Sequence, residues 1–168
     1  MSQSQHDNGV VDPVCGMRVN ADLNRVMYLE MEFAFCSEQC KERFLANPGL
    51  YVGRPGEPAP KQRGEVLLKR RSMSLADPLP DQAAEELKSM LGGMMGVKSV
   101  LFSADRLDIE YDLLEATAAQ IETAIMNFGV RLGDRWVDRF KRAIVHAVEE
   151  DVLASQEVSQ SHGPRGCH

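Results

Sequence analysis

The sequence predicts an α+β protein built from two unequal modules. First, residues 53–63 hold three prolines and two glycines without apolar periodicity, which is typical of a semi-extended linker. Second, residues 12–52 hold three of the four cysteines. Third, residues 64–132 alternate strand-like and helix-like patterns. A chain of 168 residues is long enough for one medium domain or two small ones.

The first module, residues 12–52, is predicted to begin with a turn and a hairpin. Residues 12–17 read Asp-Pro-Val-Cys-Gly-Met, a composition typical of a tight turn. Residues 25–29 and 31–35 are apolar-rich on either side of Glu30, which predicts a short β-hairpin. Domains of about forty residues seldom fold without a staple such as a bound metal.

A helix is predicted next, and it brings two cysteines together. Ser37 is a suitable N-cap, and the Asn-Pro-Gly sequence at 47–49 ends the helix. Cys36 and Cys40 are then one turn apart on one face, about 5–6 Å apart at Cβ. Because the hairpin carries Cys15 back towards the helix start, three thiolates can converge on one metal ion.

Three thiolates favour a soft or borderline ion. Structural Zn(II) is usually closed by four ligands, whereas Cu(I) accepts thiolate and thioether ligands in smaller number. The candidates for an additional ligand are Met17, Cys167 and His168, with Asp12, His6, His162 and water as further alternatives. Two interpretations compete with metal binding. Cys36 and Cys40 can be small buried apolar side chains, or Cys15 and Cys36 can form a disulfide, which a reducing compartment disfavours.

The second module, residues 64–132, is predicted to follow the βαββαβ order of a ferredoxin-like fold. The expected elements are strand 65–74, helix 81–91, strands 97–102 and 106–111, helix 116–128 and a short last strand, 130–132. Gly129 is a suitable residue to follow the second helix. Met73 and the group Met90, Met94 and Met95 are expected to fill the core rather than to form a soft-metal surface.

An amphipathic helix is expected over residues 133–156. Its predicted apolar stripe consists of Trp136, Phe140, Ile144, Ala147 and Val148. Basic residues precede acidic ones, which opposes the helix dipole. An antiparallel homodimer would offset that opposition, but we favour a solvated face. Residues 1–11 and the Cys/His tail, 157–168, are expected to be disordered.

A specific pattern of residues identifies the first module more closely. It consists of Asp12-Pro-Val-Cys-Gly-Met17, Phe35-Cys-Ser-Glu-Gln-Cys-Lys-Glu-Arg-Phe44, Asn47-Pro48 and Tyr51, with a C-x20-C-x3-C spacing. It resembles a YHS domain of the TRASH group. The resemblance implies a treble-clef-like, zinc-finger-type module with metal ligands at Cys15, Cys36 and Cys40. Glu30 and Ala34 depart from the glycine and aromatic residue of many members and leave the cysteines intact.

The second module is similar to a heavy-metal-associated domain. Met73, the segments 96–100 and 108–112, and the helix at 121–129 carry this resemblance. That family binds Cu(I) or similar ions through Met-x-Cys-x-x-Cys. The corresponding residues 73–82 contain no cysteine, so the family's metal site does not carry over. The resemblance therefore implies a scaffold for partner docking or dimerisation.

Composition and the absence of known motifs argue against several classes of function. The net charge of −6 argues against a nucleic-acid binder that works through bulk positive charge. No apolar run reaches the length of a membrane span, and no secretory signal is recognisable. The sequence lacks G-x-S-x-G, Walker A, Rossmann and H-E-x-x-H motifs, so we expect no enzyme.

We therefore expect a soluble cytoplasmic protein that binds Cu(I) or Zn(II) in heavy-metal handling or sensing. YHS domains occur in metal-transporting P-type ATPases and metal-responsive regulators, so the expected partner is a heavy-metal transport ATPase or another metal-handling protein. One alternative is a structural-zinc adaptor that acts through protein contacts. Another is a metal-responsive transcriptional regulator that reaches DNA through the basic stretch 61–71.

Overall fold

A computed structural model describes residues 9–159, and they form two modules that pack against each other. The first module contains two small antiparallel hairpins and a helix. Its elements are β1 (Gly9–Val11) paired with β2 (Arg18–Asn20), β3 (Val26–Tyr28) paired with β4 (Met31–Phe33), helix α1 (Glu38–Ala46) and a 3₁₀ turn (Pro48–Leu50). The predicted hairpin and helix are confirmed, and the β1–β2 pairing around the first turn was not anticipated.

An aromatic cluster forms the core of this module. The fully buried ring of Phe44 lies on α1, with its centroid 5.0 Å from that of Phe33 and 5.1 Å from that of Phe35. Tyr28 meets it edge-on at 5.6 Å, and Tyr51 lies at 6.0 Å. The helix and both strands of the second hairpin are therefore held by one side chain, which makes the position of α1 well determined.

The Pro/Gly segment 53–63 packs more closely than its composition predicts. It consists largely of turns, and the side chain of Ala59 is fully buried. The side-chain oxygen of Gln62 accepts hydrogen bonds from the backbone N–H groups of Gly53, at 3.2 Å, and Ala59, at 2.8 Å. Local side-chain bonds of this kind satisfy the backbone without a helix or a sheet, so lack of periodicity did not mean lack of packing.

The second module is a three-stranded antiparallel sheet with two helices. Its elements are β5 (Leu68–Ser74), α2 (Asp81–Gly92), β6 (Val97–Ser103), β7 (Arg106–Asp112) and α3 (Ala118–Asn127), with strand order β5-β7-β6. Its buried side chains include Leu87, Leu91, Leu107, Ile109, Tyr111, Ile121 and Ile125. The α+β prediction is confirmed, and Met73 lies in the core, with the group Met90, Met94 and Met95 packed against it.

The predicted last strand, 130–132, does not form. Leu132 makes a single bridge to Leu75, and the neighbouring backbone bonds run from Ala76 N–H to Arg131 and from Gly133 N–H to Ser74. Because β5 ends at this point, the returning chain meets only the end of its partner. The sheet of the described residues therefore has three strands instead of four.

The long C-terminal helix, α4 (Trp136–Ser159), turns a different face to the protein from the predicted one. Ile144 and Val148 of the expected apolar stripe are each 47% exposed, whereas Glu149 and Leu153 are buried. The expected stripe is therefore wrong at these positions. The stripe also included Trp136 and Phe140, whose side chains lie outside the described part of the structure.

Two glutamates of α4 explain its orientation. The carboxylate of Glu149 accepts hydrogen bonds from the Tyr111 hydroxyl and, at 2.9 Å, from the Ala118 N–H at the start of α3. Eight residues later, Glu157 accepts bonds from the Gly49 N–H at 2.9 Å and the Asn47 amide at 3.1 Å. The helix thus contacts both modules, and these polar anchors lie on the same face as Val145, Val152 and Leu153, which pack on the core.

The two modules also contact each other directly. The Gln39 side chain on α1 donates to the carbonyls of Met95 and Glu115, at 2.9 and 3.2 Å. The Tyr51 hydroxyl donates to the carbonyl of Leu114 at 2.6 Å. Because α1 carries both Cys40 and Gln39, the helix links the cysteine cluster to the second module.

Candidate metal centre

The first cysteine lies in a tight turn between β1 and β2. The Asp12 N–H donates to the Met17 carbonyl at 2.9 Å, and the Gly16 N–H donates to the Asp12 carbonyl at 2.8 Å. Gly16 has a φ of +77°, a conformation that glycine adopts without steric cost. The turn predicted for residues 12–17 is confirmed, and it points Cys15 towards the start of α1.

The buried carboxylate of Asp12 connects this turn to the helix start. One oxygen accepts from the N–H groups of Val14, at 2.8 Å, and Cys15, at 3.4 Å. The other accepts from the Cys36 N–H at 2.8 Å. Hydrogen bonds to a charged acceptor are stronger than neutral ones, so one side chain holds two cysteine-bearing segments together.

The three predicted ligands converge. The Cys15 and Cys36 sulfurs lie 3.5 Å apart, as do those of Cys36 and Cys40. Together with a carboxylate oxygen of Asp12, the ligand atoms lie within 4.8 Å of one another. All three cysteines are unpaired thiols, so the Cys15–Cys36 disulfide alternative is wrong for this structure. The Ser37 hydroxyl accepts from the Cys40 N–H at 3.3 Å, which confirms the predicted N-cap.

Burial favours the protonated thiol at Cys15 and at Cys40 when no metal is bound. Burial raises the pKa of Cys15 to about 12, and the hydrogen bond to Cys36 and the charge of Asp12 add to this, although a backbone bond at Met17 opposes it. Burial, followed by the charge of Asp12, also raises the pKa of Cys40 well above its usual value. A metal ion would therefore have to displace protons to bind.

The donor set fits a thiophilic metal. Three thiolates on one tetrahedral Zn(II), with Zn–S bonds of about 2.3 Å, lie about 3.8 Å apart. The observed sulfur–sulfur distances of 3.5 Å require only small adjustments to reach that arrangement. Soft thiolates also suit Cu(I), so the donor set by itself admits both ions.

The candidate additional ligands lie in different places relative to the cysteine cluster. Asp12, one of the wider alternatives, lies within the cluster, whereas Met17 lies two residues after Cys15 with a side chain 48% exposed. Cys167, His168, His6 and His162 lie outside the described residues. The Asp-Pro-Val-Cys sequence was the available signal for Asp12, because an aspartate commonly accepts the N–H of a residue two positions later.

Comparison with known proteins supports the assignment of the first module. The family model of the YHS domain matches residues 10–54, which confirms the resemblance stated above. A comparison with curated proteins gives no match. No helix among residues 9–159 has the length and apolar character needed to cross a membrane.

Two solved structures are similar to part of the chain. One is the solution structure of the N-terminal soluble domains of Bacillus subtilis CopA, at 20% identity and a TM-score of 0.38, covering 40% of this chain and 47% of that one. The other is the solution structure of a Bacillus subtilis CopA variant described with copper, at 19% identity and a TM-score of 0.37, covering 42% of this chain and 96% of that one. The chain thus spans about half the length of the first of them.

Proposed function

We propose that this chain binds one Cu(I) or Zn(II) ion through Cys15, Cys36 and Cys40 and serves in heavy-metal handling rather than in catalysis. The convergence of three unpaired thiols within a segment that matches the YHS family carries the proposal. Bound metal would supply the cross-link that a module of this size needs. The residues that hold it come from the β1–β2 turn and the start of α1.

The unequal burial of the ligands supports a transferable ion. Cys15 and Cys36 are partly exposed, whereas Cys40 is fully buried. An incoming thiolate from a partner can therefore approach two of the three sulfurs without unfolding the module. This accessibility supports a cytoplasmic role in which metal passes to or from a heavy-metal transport ATPase or another metal-handling protein.

The interface between the modules supports a second candidate, a structural-zinc adaptor. Helix α1 carries Cys40 and also Gln39, whose amide bonds to two carbonyls of the second module. In that role the metal would hold α1 in place and the second module would bind a partner. The rate of metal exchange distinguishes the two roles, because a handling protein releases its ion to a chelator within minutes and a structural site retains it.

Metal analysis after anaerobic purification tests the proposal. The full chain is expected to hold one Cu(I) or Zn(II), and Cys36→Ser and Cys40→Ser are expected to lose it. Met27→Ser, which removes an exposed sulfur-bearing side chain of β3 outside the cluster, is the control and should keep the same stoichiometry. A wild-type chain that binds no metal and keeps its circular dichroism in chelator would overturn the proposal.

A further inference from the structure

One buried cation on α1 has no explanation in the fold alone. Arg43 is only 3% exposed, and its Nε and Nη2 atoms are buried without a hydrogen-bond partner. The other buried charged residues among those described are all carboxylates: Asp12, Asp112, Glu122 and Glu149. An unsatisfied buried guanidinium is costly, so its presence points to an anionic partner.

One candidate for that partner lies one turn earlier on the same helix. Cys40 and Arg43 are three residues apart on α1, which makes them neighbours on the helix surface. Both act on the hydroxyl of Tyr51. Burial raises the pKa of Tyr51 to about 12, the charge and hydrogen bond of Arg43 oppose that rise, and the charge of Cys40 adds to it. Arg43 and Cys40 are both buried, and both act on Tyr51.

A carboxylate of the second module is the competing anion, and it is already engaged. Asp112 also acts on Tyr51. Its Oδ1 accepts from the N–H groups of Leu67 and Leu114, each at 3.0 Å, and its Oδ2 lies 3.7 Å from the ammonium of Lys61. Asp112 thus has its own partners, whereas Nε and Nη2 of Arg43 have none.

We propose that Arg43 is the internal counter-ion of the metal–thiolate centre. The inference rests on the proposed function. Three thiolates leave a net charge of −1 on Zn(II) and −2 on Cu(I), and the carboxylate of Asp12 adds a further negative charge beside them. Burying such a centre requires a compensating positive charge. Arg43 supplies it, and it stabilises the Cu(I) centre more than the Zn(II) centre because attraction grows with the opposing charge.

Metal affinities of charge variants test this role in the full chain. Dissociation constants for Zn(II) and Cu(I) are measured by competition with chromophoric chelators under anaerobic conditions. Arg43→Met is expected to weaken Zn(II) binding by roughly tenfold and Cu(I) binding by a larger factor. Arg43→Lys keeps the charge and should recover most of both affinities. Lys41→Met removes a charge from the same helix at a more exposed position and is the matched control, expected to change either affinity by less than about threefold.

Thermal unfolding of the metal-free variants separates charge from packing. Metal-free Arg43→Met should unfold no earlier than wild type, because methionine removes two unsatisfied donors. Equal losses of Zn(II) and Cu(I) affinity, or an Arg43→Lys variant as weak as Arg43→Met, would overturn the counter-ion role. An Arg43→Met variant that binds Zn(II) and Cu(I) as tightly as wild type would also overturn it. A wild-type chain without metal affinity would instead refute the proposed function on which the inference rests.

Discussion

Replacing Asp12 by asparagine tests how the cluster is assembled. The carboxylate is fully buried and accepts N–H bonds from the first turn through one oxygen and from Cys36 through the other. An asparagine of the same shape has one acceptor oxygen and one NH₂ group. Whichever way the amide turns, one backbone N–H loses its acceptor and faces a donor instead.

The size of the expected loss in stability follows from these hydrogen bonds. A hydrogen bond to a charged acceptor contributes about 1.5–3 kcal/mol, and a neutral one about 1 kcal/mol. Asp12→Asn loses one of the two short bonds, at 2.8 Å each, and converts the other from charged to neutral. The expected loss is about 3 kcal/mol in the free energy of unfolding, or roughly a hundredfold in the folding equilibrium.

Urea unfolding followed by circular dichroism, with chelator and reductant present, measures this loss. With a urea dependence of about 2 kcal/mol per molar, the midpoint should fall by about 1.5 M. Asp22→Asn, at a carboxylate whose side chain is 76% exposed, is the matched control and should shift the midpoint little. If metal-free Asp12→Asn unfolds at the wild-type midpoint but binds Zn(II) weakly, Asp12 is a ligand and its positioning role is refuted.

Three further outcomes are expected. The metal-free protein should lose thermal stability as pH rises from about 9 towards 12. The pKa of Cys15 and that of Tyr51 are both raised to about 12 in the folded state, from ordinary values of 9.0 and 10.0. In this pH range the folded state therefore holds protons that the unfolded state releases, and folding becomes less favourable. A thermal unfolding midpoint that stays unchanged over that pH range would contradict this expectation. Metal-loaded protein should show the opposite trend, releasing metal as pH falls because protons compete for the thiolates, which a chelator-dye titration follows. Glu149→Ala should lower the free energy of unfolding by about 3 kcal/mol because it leaves the buried Tyr111 hydroxyl without its acceptor. Glu150→Ala, at the exposed neighbouring position, should change it by less than about 0.5 kcal/mol. Denaturant titration resolves this difference.

Part of the candidate metal centre was predictable from the sequence because it depends on local geometry. Cys36 directly precedes the N-cap Ser37 and Cys40 lies in the first turn of α1, so chain geometry over a few residues brings their sulfurs together, although Cys36 is not itself in the helix. The turn at Cys15 follows from its glycine and proline neighbours. Asp12 was ranked among several alternatives because its role links residues 24 positions apart, a relation that no local pattern carries.

The face of α4 was not predictable in the same way. Helical periodicity selected Ile144 and Val148, but a helix with several apolar positions can be rotated to bury different ones. The face that is buried carries Leu153 together with Glu149, whose partners Tyr111 and Ala118 lie 38 and 31 residues away in the chain. A buried glutamate satisfied by two distant donors stabilises the fold, whereas the sequence alone indicates a solvated acid.

The α+β class, the hairpin and helix of the YHS-like segment, and the candidate set of Cys15, Cys36 and Cys40 could be inferred from the sequence. The hairpin, the helix and the Cys36–Cys40 pair depend on contacts over a few residues, where spacing along the chain sets distance in space. The tertiary structure was needed to show that Asp12 joins Cys15 to Cys36, that the last strand is reduced to one bridge, and that Arg43 is buried. Those outcomes depend on which distant donors, acceptors and charges satisfy one another once water is excluded.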